Sequence, residues 1–394
     1  MAKSNLLQIV ASRQGKFTVP QQLGGIEKIL VSLGIPSQAE KWGMDFSLLV
    51  LGIGQKLMSA VSEAAFLAEV GLSDLQRRFN RFLNKDWGQD LLCEVLERIP
   101  ASCFKDPQSV LALDDSPAKK SGKKMPGAKK FFHNGLFYHG YELVTLVFSG
   151  VKGVFPLGSA LKTQTSPSKI KLACHLIEKA ISMGFSPGWV VFDSWYTVKK
   201  LIDFLVGKGW RFVGPLKKNR VLWCNGRRHH LKYFLKKSLD RTYSSFFVSL
   251  KKNGPLFRLV VFRRRLKKSG KIQIEYLLTN DLVSANKKIA KAYLKRWDIE
   301  TIFRAGKQTF SLEKFHNRSL QAIQNHIALS FCAIVLVAYF KTLFESLKGK
   351  SLAFVRRVAF LLKTQHVFGV GWLKMTFVAV RPNPLYFKRF GVVS

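Results

Sequence analysis

Apolar and polar positions change their period along this 394-residue chain, and each change predicts a different kind of element. Through QKLMSAVSEAAFLAEVGLSDLQRRFNRFL (55–83), apolar residues recur three and four apart on either side of a turn near Gly71, the spacing of amphipathic helices. Ser73 suits the N-cap of the second helix, which then presents Arg77, Arg78 and Arg81. Helix, glycine turn and basic helix fit a DNA-reading helix-turn-helix, and equally a plain helical hairpin with a solvated basic face. From about residue 107 the texture turns to strands. QSVLALDDS, GLFYHGYELVTLVFSG and VKGVFPLG are short runs rich in valine, leucine and aromatics. SPSKIKLACHLIEKAISMGF returns to helical spacing, WVVFDS is a buried strand, TVKKLIDFLVGKG is a helix closed by glycine, and WRFVGPLKKNR is a further strand.

Over about 218–283, short β-like runs alternate with basic turns, which predicts a separate antiparallel insertion. Helix resumes over 285–308 and again after 319. The order is strand with Asp, paired strands, helix, strand with Asp, helix, strand, β insertion and helix with Glu. It predicts an α/β fold, a mixed sheet interrupted by one β module. The expected organisation is a helical region over 1–105, an α/β domain over 106–347 and a C-terminal tail over 348–394.

Composition sharpens this picture. With 47% apolar residues and 32 phenylalanines the chain can bury substantial cores, so a disordered tail protein is excluded. Against 24 Asp+Glu stand 64 Lys+Arg, a formal charge of +40. Self-repulsion of that size opposes folding, so a polyanionic partner is the natural explanation, and nucleic-acid backbones supply one. An anionic membrane surface fits less well, because the basic residues run along the whole chain. The longest apolar run, IALSFCAIVLVAYF (327–340), is short of the about 20 residues a membrane span needs and predicts a buried helix. The N-terminus lacks the apolar core of a secretory signal. Five scattered cysteines without ligand spacing predict reduced thiols in a cytosolic protein, and Cys224 with His229 and His230 makes a poor metal cluster. PAKKSGKKMPGAKK (117–130), with six lysines, two prolines and no acid, predicts an exposed loop.

Acids are scarce, so their places carry information. Asp114 follows VLAL and Asp193 follows WVVF, each at the carboxyl end of a strand, where open α/β sheets place their ligand sites. A carboxylate there needs a positive partner, and a divalent metal is the usual one. The alternatives are a helix cap at Asp193 or Ser194 and a turn at Asp114–Asp115–Ser116. In AYLKRWDIETIFRAGK (292–307), a helix turning about 100° per residue puts Tyr293, Arg296, Glu300 and Lys307 within one narrow face, with Ile299 and Ile302 directed to a core. An Arg296–Glu300 pair on a solvated face explains part of that pattern. Three acids beside a basic surface also match metal-dependent phosphoryl transfer. In that chemistry carboxylates hold oxygen-liking cations that activate one oxygen and stabilise the leaving one.

The spacing Tyr293-x2-Arg296-x3-Glu300-x6-Lys307 resembles the Tyr-Arg-Glu-Lys signature of bacterial insertion-sequence transposases with a DDE site. LALDDS resembles their first-Asp strand and VVFDSWYTVKKLIDFL their second. The order of elements is similar to the family's ribonuclease-H-like domain with its β insertion, over about 105–345. The resemblance implies that Asp114, Asp193 and Glu300 form the metal-binding catalytic triad, and its Asp-small-Thr/Ser register favours Asp114 over Asp115. It implies that Tyr293, Arg296 and Lys307 contact phosphates near the cut end. Two Mg²⁺ ions are expected, with Mn²⁺ able to substitute. Further implications are binding of double-stranded DNA at inverted-repeat ends and at a target, a dimer on DNA, N-terminal DNA-end-binding helices, and a place in the bacterial cytoplasm with the nucleoid. Some relatives carry a tryptophan in the insertion that assists hairpin formation; Trp223, the one tryptophan of 218–283, stands too near its start to be given that role. A non-catalytic DNA binder of the same fold, or a nuclease that cuts without joining, stays open.

Overall fold

The computed structural model describes residues 80–356, apart from 82, 87, 121, 123–124, 134, 239–240, 266–269, 316, 343–348 and 354. The expected helices before residue 80, including the Ser73 cap, and nearly all of the 348–394 tail lie outside the described residues.

One mixed sheet carries the fold. Its strands are β1 (Val110–Lys119), β2 (Lys129–His133), β3 (Leu136–Ser149), β4 (Val154–Lys162), β5 (Trp189–Phe192), β6 (Phe212–Pro215), β9 (Tyr243–Val248), β10 (Phe257–Arg265) and β11 (Ile272–Thr279). They run in the order β2-β3-β1-β5-β6-β11-β10-β9, with β4 also on β3. β1 pairs antiparallel with β3 from Val110↔Ser149 to Lys119↔Gly140 and parallel with β5, which pairs parallel with β6. Central strands buried on both faces explain the unbroken apolar runs VLAL and WVVF. The β4-β3-β1-β5-β6 part is a mixed α/β arrangement consistent with a ribonuclease-H-like domain.

The antiparallel strands after residue 240 do not form a separate module. β11 pairs with β6 through Leu277↔Pro215 to Thr279↔Val213, so β11, β10 and β9 continue the main sheet. Period-2 patterning marks a strand but not its neighbour, which is why sequence could not tell extension from insertion. A two-stranded sheet of β7 (Val221–Cys224) and β8 (Arg227–His230) does stand apart, and Trp223 lies in it, bridged to Ser249.

Helices cover both faces. α1 (Gly88–Arg98) packs on the long α7 (Leu320–Thr342). α2 (Lys169–Ser182) is capped by the Ser168 side chain on the Lys171 amide. The others are α3 (Lys199–Gly207), α4 (Leu231–Lys237), α5 (Asn286–Leu294) and α6 (Trp297–Gln308). α7 is long and apolar enough to cross a membrane by length and composition alone, yet 94% of its apolar window is buried inside this fold. At Gly214 on β6 an added Cβ would lie 2.2 Å from the Phe192 ring, so only glycine allows β6 to approach the residue preceding Asp193 this closely.

The helix expected over 285–308 is two helices. The amides of Lys295 and Arg296 bond to Ala292 and Tyr293, three residues back, at 3.2 and 2.9 Å. Such tight turns advance about 120° per residue instead of about 100°, which brings the Arg296 side chain into line with Tyr293, three residues back, and the two are hydrogen-bonded neighbours. The 117–130 segment also departs from a wholly exposed loop. Its first residues finish β1, its last begin β2, and Lys120 Nζ donates to the Phe315 carbonyl at 2.8 Å and stands 3.6 Å from that ring's centroid. Burial, partly opposed by Glu313, lowers the Lys120 pKa to about 8.

Candidate active site

Alternation along β1 sends Asp114 and Asp115 to opposite faces of the sheet, and the two carboxylates meet different partners. Asp114 Oδ2 accepts from Arg296 Nη1 at 2.8 Å, and Glu300 Oε1 accepts from Arg296 Nη2 at 2.9 Å. One guanidinium therefore bridges the first strand acid to the helix acid. Arg296 stands in the turn between α5 and α6, and its side chain is only 12% exposed. The fork geometry of arginine suits this double role, which a lysine point charge could not fill. Docking of α6 is secured from its first turn, where Ser149 Oγ on β3 donates to Asp298 Oδ2, and by Lys295 Nζ donating to the Gln108 carbonyl at 2.7 Å. Ile299 and Ile302 face the core as the helical spacing predicts.

Asp193 follows directly on β5. Its Oδ1 accepts from the amides of Trp195 at 2.9 Å and Tyr196 at 3.2 Å, which shapes the turn after the strand. It does not cap α3, which begins at Lys199 after a Val198 N-cap that makes no side-chain bond. Thr197 Oγ1 donates to the Pro215 carbonyl at 2.8 Å and ties the same turn to β6.

The electrostatics of this cluster are those of acids short of positive charge. Burial first, then repulsion from Asp193, pushes Asp114 up to about 7, and the Arg296 guanidinium only partly offsets them. Asp193 is raised too, by burial above all and by the Asp115 charge, against the two amide bonds. Carboxylates held this way are poor anions until a cation joins them.

Asp115 serves the other face. Lys169 Nζ, from the start of α2, lies 3.2 Å from both of its oxygens and 2.9 Å from Glu142 Oε1, and Lys129 pairs with Glu142 Oε2 at 2.9 Å. Tyr196 Oη, on a fully buried ring, donates to Asp115 Oδ1 at 2.9 Å. Asp115 thus grips the residue whose amide holds Asp193. Sequence reasoning missed Lys169, Glu142, Tyr196 and Asp298, because partners 27 to 149 residues apart leave no local signal.

Tyr293 is buried at the end of α5, with its hydroxyl pKa raised by burial and by Glu275 and lowered in part by neighbouring Arg296. Lys307, in the last turn of α6, pairs with Glu313 and donates at 2.9 Å to the carbonyl of Pro117, three residues along β1 from Asp114. His229, one of the histidines near Cys224, stacks on Tyr233 with ring centroids 3.8 Å apart.

Among the described residues no group of three or more His, Cys, Asp or Glu stands close enough in this state to hold a metal ion. The donor set nevertheless fits a hard divalent cation. Asp114, Asp193 and Glu300 offer oxygen donors only, and the guanidinium between Asp114 and Glu300 supplies the positive charge that such an ion would bring. No curated protein matches this chain. Residues 105–336, more than half its length, match the protein family described as the Transposase DDE domain.

Proposed function

Because the chain belongs to the transposase DDE-domain family, whose members are phosphoryl-transfer enzymes that use divalent metal and act on DNA, we propose that it is an insertion-sequence transposase. In this reading it cuts the inverted-repeat ends of its own element and joins the freed 3′-hydroxyls to target DNA. The observation that carries the reading is the bridging of Asp114 and Glu300 by Arg296, beside the raised carboxyl of Asp193.

Asp114, Asp193 and Glu300 would hold two Mg²⁺ ions, with Mn²⁺ as a substitute. Bound there, the ions activate the attacking oxygen and stabilise the leaving one. In cleavage, water attacks an end phosphodiester, the P–O3′ bond breaks, and the 3′-oxygen leaves as a hydroxyl after taking a proton. In joining, that hydroxyl attacks a target phosphodiester and displaces its 3′-oxygen. Arg296, freed from the acids, and Lys307 would turn to backbone phosphates, Arg through its fork and Lys as a point charge. Tyr293, buried beside Arg296, contributes by placing the guanidinium. Double-stranded ends and target are the partners, and synapsis of two ends implies a dimer on DNA.

The test uses a plasmid carrying the gene with its native flanking DNA, incubated with Mg²⁺ and either wild-type protein or Asp193→Asn. New 3′-hydroxyl ends are then mapped. Paired cuts at inverted repeats with wild type alone, while the variant still binds, are expected. Binding without cutting in Mg²⁺ or Mn²⁺ would favour a non-catalytic binder, and cutting without joined products a nuclease. Equal cutting by both proteins would remove Asp193 from the site.

A further inference from the structure

The β2–β3 hairpin carries an exposed aromatic pair that the active-site chemistry does not use. Register sets Phe132 opposite Phe137 and Lys130 opposite His139, so these four side chains share one face of the ribbon. The two rings lie 5.2 Å apart, edge to face, and are 60% and 66% exposed. Lys130 Nζ stands 4.8 Å from the Phe137 centroid. On the other face Phe131 is buried and Lys119 Nζ sits 3.6 Å over Tyr138, while Leu136 beside the turn is exposed. Between Asp115 and Glu142 the chain has six lysines and no acid.

The hairpin projects beyond the carboxyl end of the strand that carries Asp114. Gly140 pairs with Lys119, five residues past Asp114, and Phe137 lies three residues further out. Eight residues at about 3.3 Å each place the ring pair roughly 26 Å along the sheet from the acid.

We propose that this face of the hairpin is a stacking platform for unpaired bases of a DNA strand that leads away from the acid cluster; the proposal rests on the reading of the chain as a DNA-processing enzyme. Unpaired bases offer their faces to aromatic rings whatever their sequence, while lysines track the backbone. A duplex hides those faces, and a protein that reaches them drives an apolar wedge into the stack. The phenylalanines lie instead on the flat of the ribbon, two residues from its turn. A second copy of the chain is disfavoured, because this face carries Lys130 and no acid and would have to meet itself.

The experiment measures anisotropy of labelled oligothymidylate about twenty nucleotides long, and of a duplex of equal length, against the full-length protein over a salt series. Phe132→Ala/Phe137→Ala is expected to weaken single-strand binding about tenfold or more, with duplex binding within about twofold of wild type. The slope of affinity against salt should not change, because phenylalanine releases no counterions. Phe132→Trp/Phe137→Trp should restore the affinity, which separates stacking from a folding defect. Unchanged single-strand affinity, an equal loss on the duplex, or a variant that alters only the oligomeric state of the free protein would overturn the platform. Absence of cutting in the plasmid assay, with this stacking signature intact, would count against the transposase reading alone.

Discussion

Replacing Arg296 tests whether its guanidinium holds the place of a cation. In Arg296→Gln the 2.8 and 2.9 Å charge-assisted bonds to Asp114 and Glu300 disappear, and two carboxylates are left with no counter-charge between them. Breaking a fully buried pair costs about 3–5 kcal/mol. Here Glu300 is 33% exposed, so solvent screens part of that loss. Asp114, already pushed up to about 7, escapes the rest by taking a proton near neutrality. The net cost should be about 1–3 kcal/mol, or roughly 3–10 °C in Tm for a domain of this size. Magnesium should then act with opposite strength on the two proteins. Wild type must give up two hydrogen bonds to admit the ion, whereas the variant gives up none. If relief of that competition tightens binding about tenfold, saturating Mg²⁺ adds about 1.4 kcal/mol more stability to the variant than to wild type. Thermal unfolding across a Mg²⁺ titration, with Mn²⁺ affinity measured directly by spin resonance, reads both effects. DNA cutting by the variant should still fall, since the phosphate grip is lost. Equal metal stabilisation of both proteins, or a weaker effect on the variant, would refute the competition.

Asp114 also predicts a pH dependence. Its folded pKa of about 7 lies above the ordinary 3.8, so its contribution to stability is fully present below about pH 4 and is lost as pH rises through 7. The full difference is worth roughly 4 kcal/mol. Asp114→Asn should flatten unfolding curves between pH 4 and 7 in the absence of metal, and an unchanged slope would mean that another group titrates there. Tyr196→Phe removes the 2.9 Å bond to Asp115 while leaving the buried ring, and should cost about 1.5–3 kcal/mol because the acceptor is charged. Since the Tyr196 amide also holds Asp193, the variant should lose Mn²⁺ affinity while binding DNA as wild type does. Loss of stability with metal affinity intact would make the contact purely structural.

Much of the central sheet was legible because VLAL and WVVF are apolar runs that stop at an acid, a pattern strands buried on both faces produce. The approach of Arg296 to Glu300 was legible for a different reason, since a four-residue spacing within a helix leaves little freedom. That the same guanidinium also reaches Asp114, 182 residues away, was not, because helical periodicity gives a face and no partner. The turn at Lys295–Arg296 escaped notice too, as neither glycine nor proline marks it. Asp115 looked like a weaker copy of Asp114. Its distinct task emerges only where α2 and the Tyr196 turn close on the opposite face of β1.

The joining of β11 to β6 turns the sheet into a ruler. Strands in a sheet repeat at about 4.8 Å, so β10 and β9 stand three and four steps, roughly 14 and 19 Å, from the strand that ends at Asp193. The basic run Arg263–Arg264–Arg265 on β10 is referenced to the acids through backbone hydrogen bonds rather than through a hinge. Any ligand held by the outer strands would be set at a fixed offset from the acids, adjustable only in whole strand widths. A relative that gained or lost one strand there would shift its footprint by a step, and intermediate offsets would be closed to it.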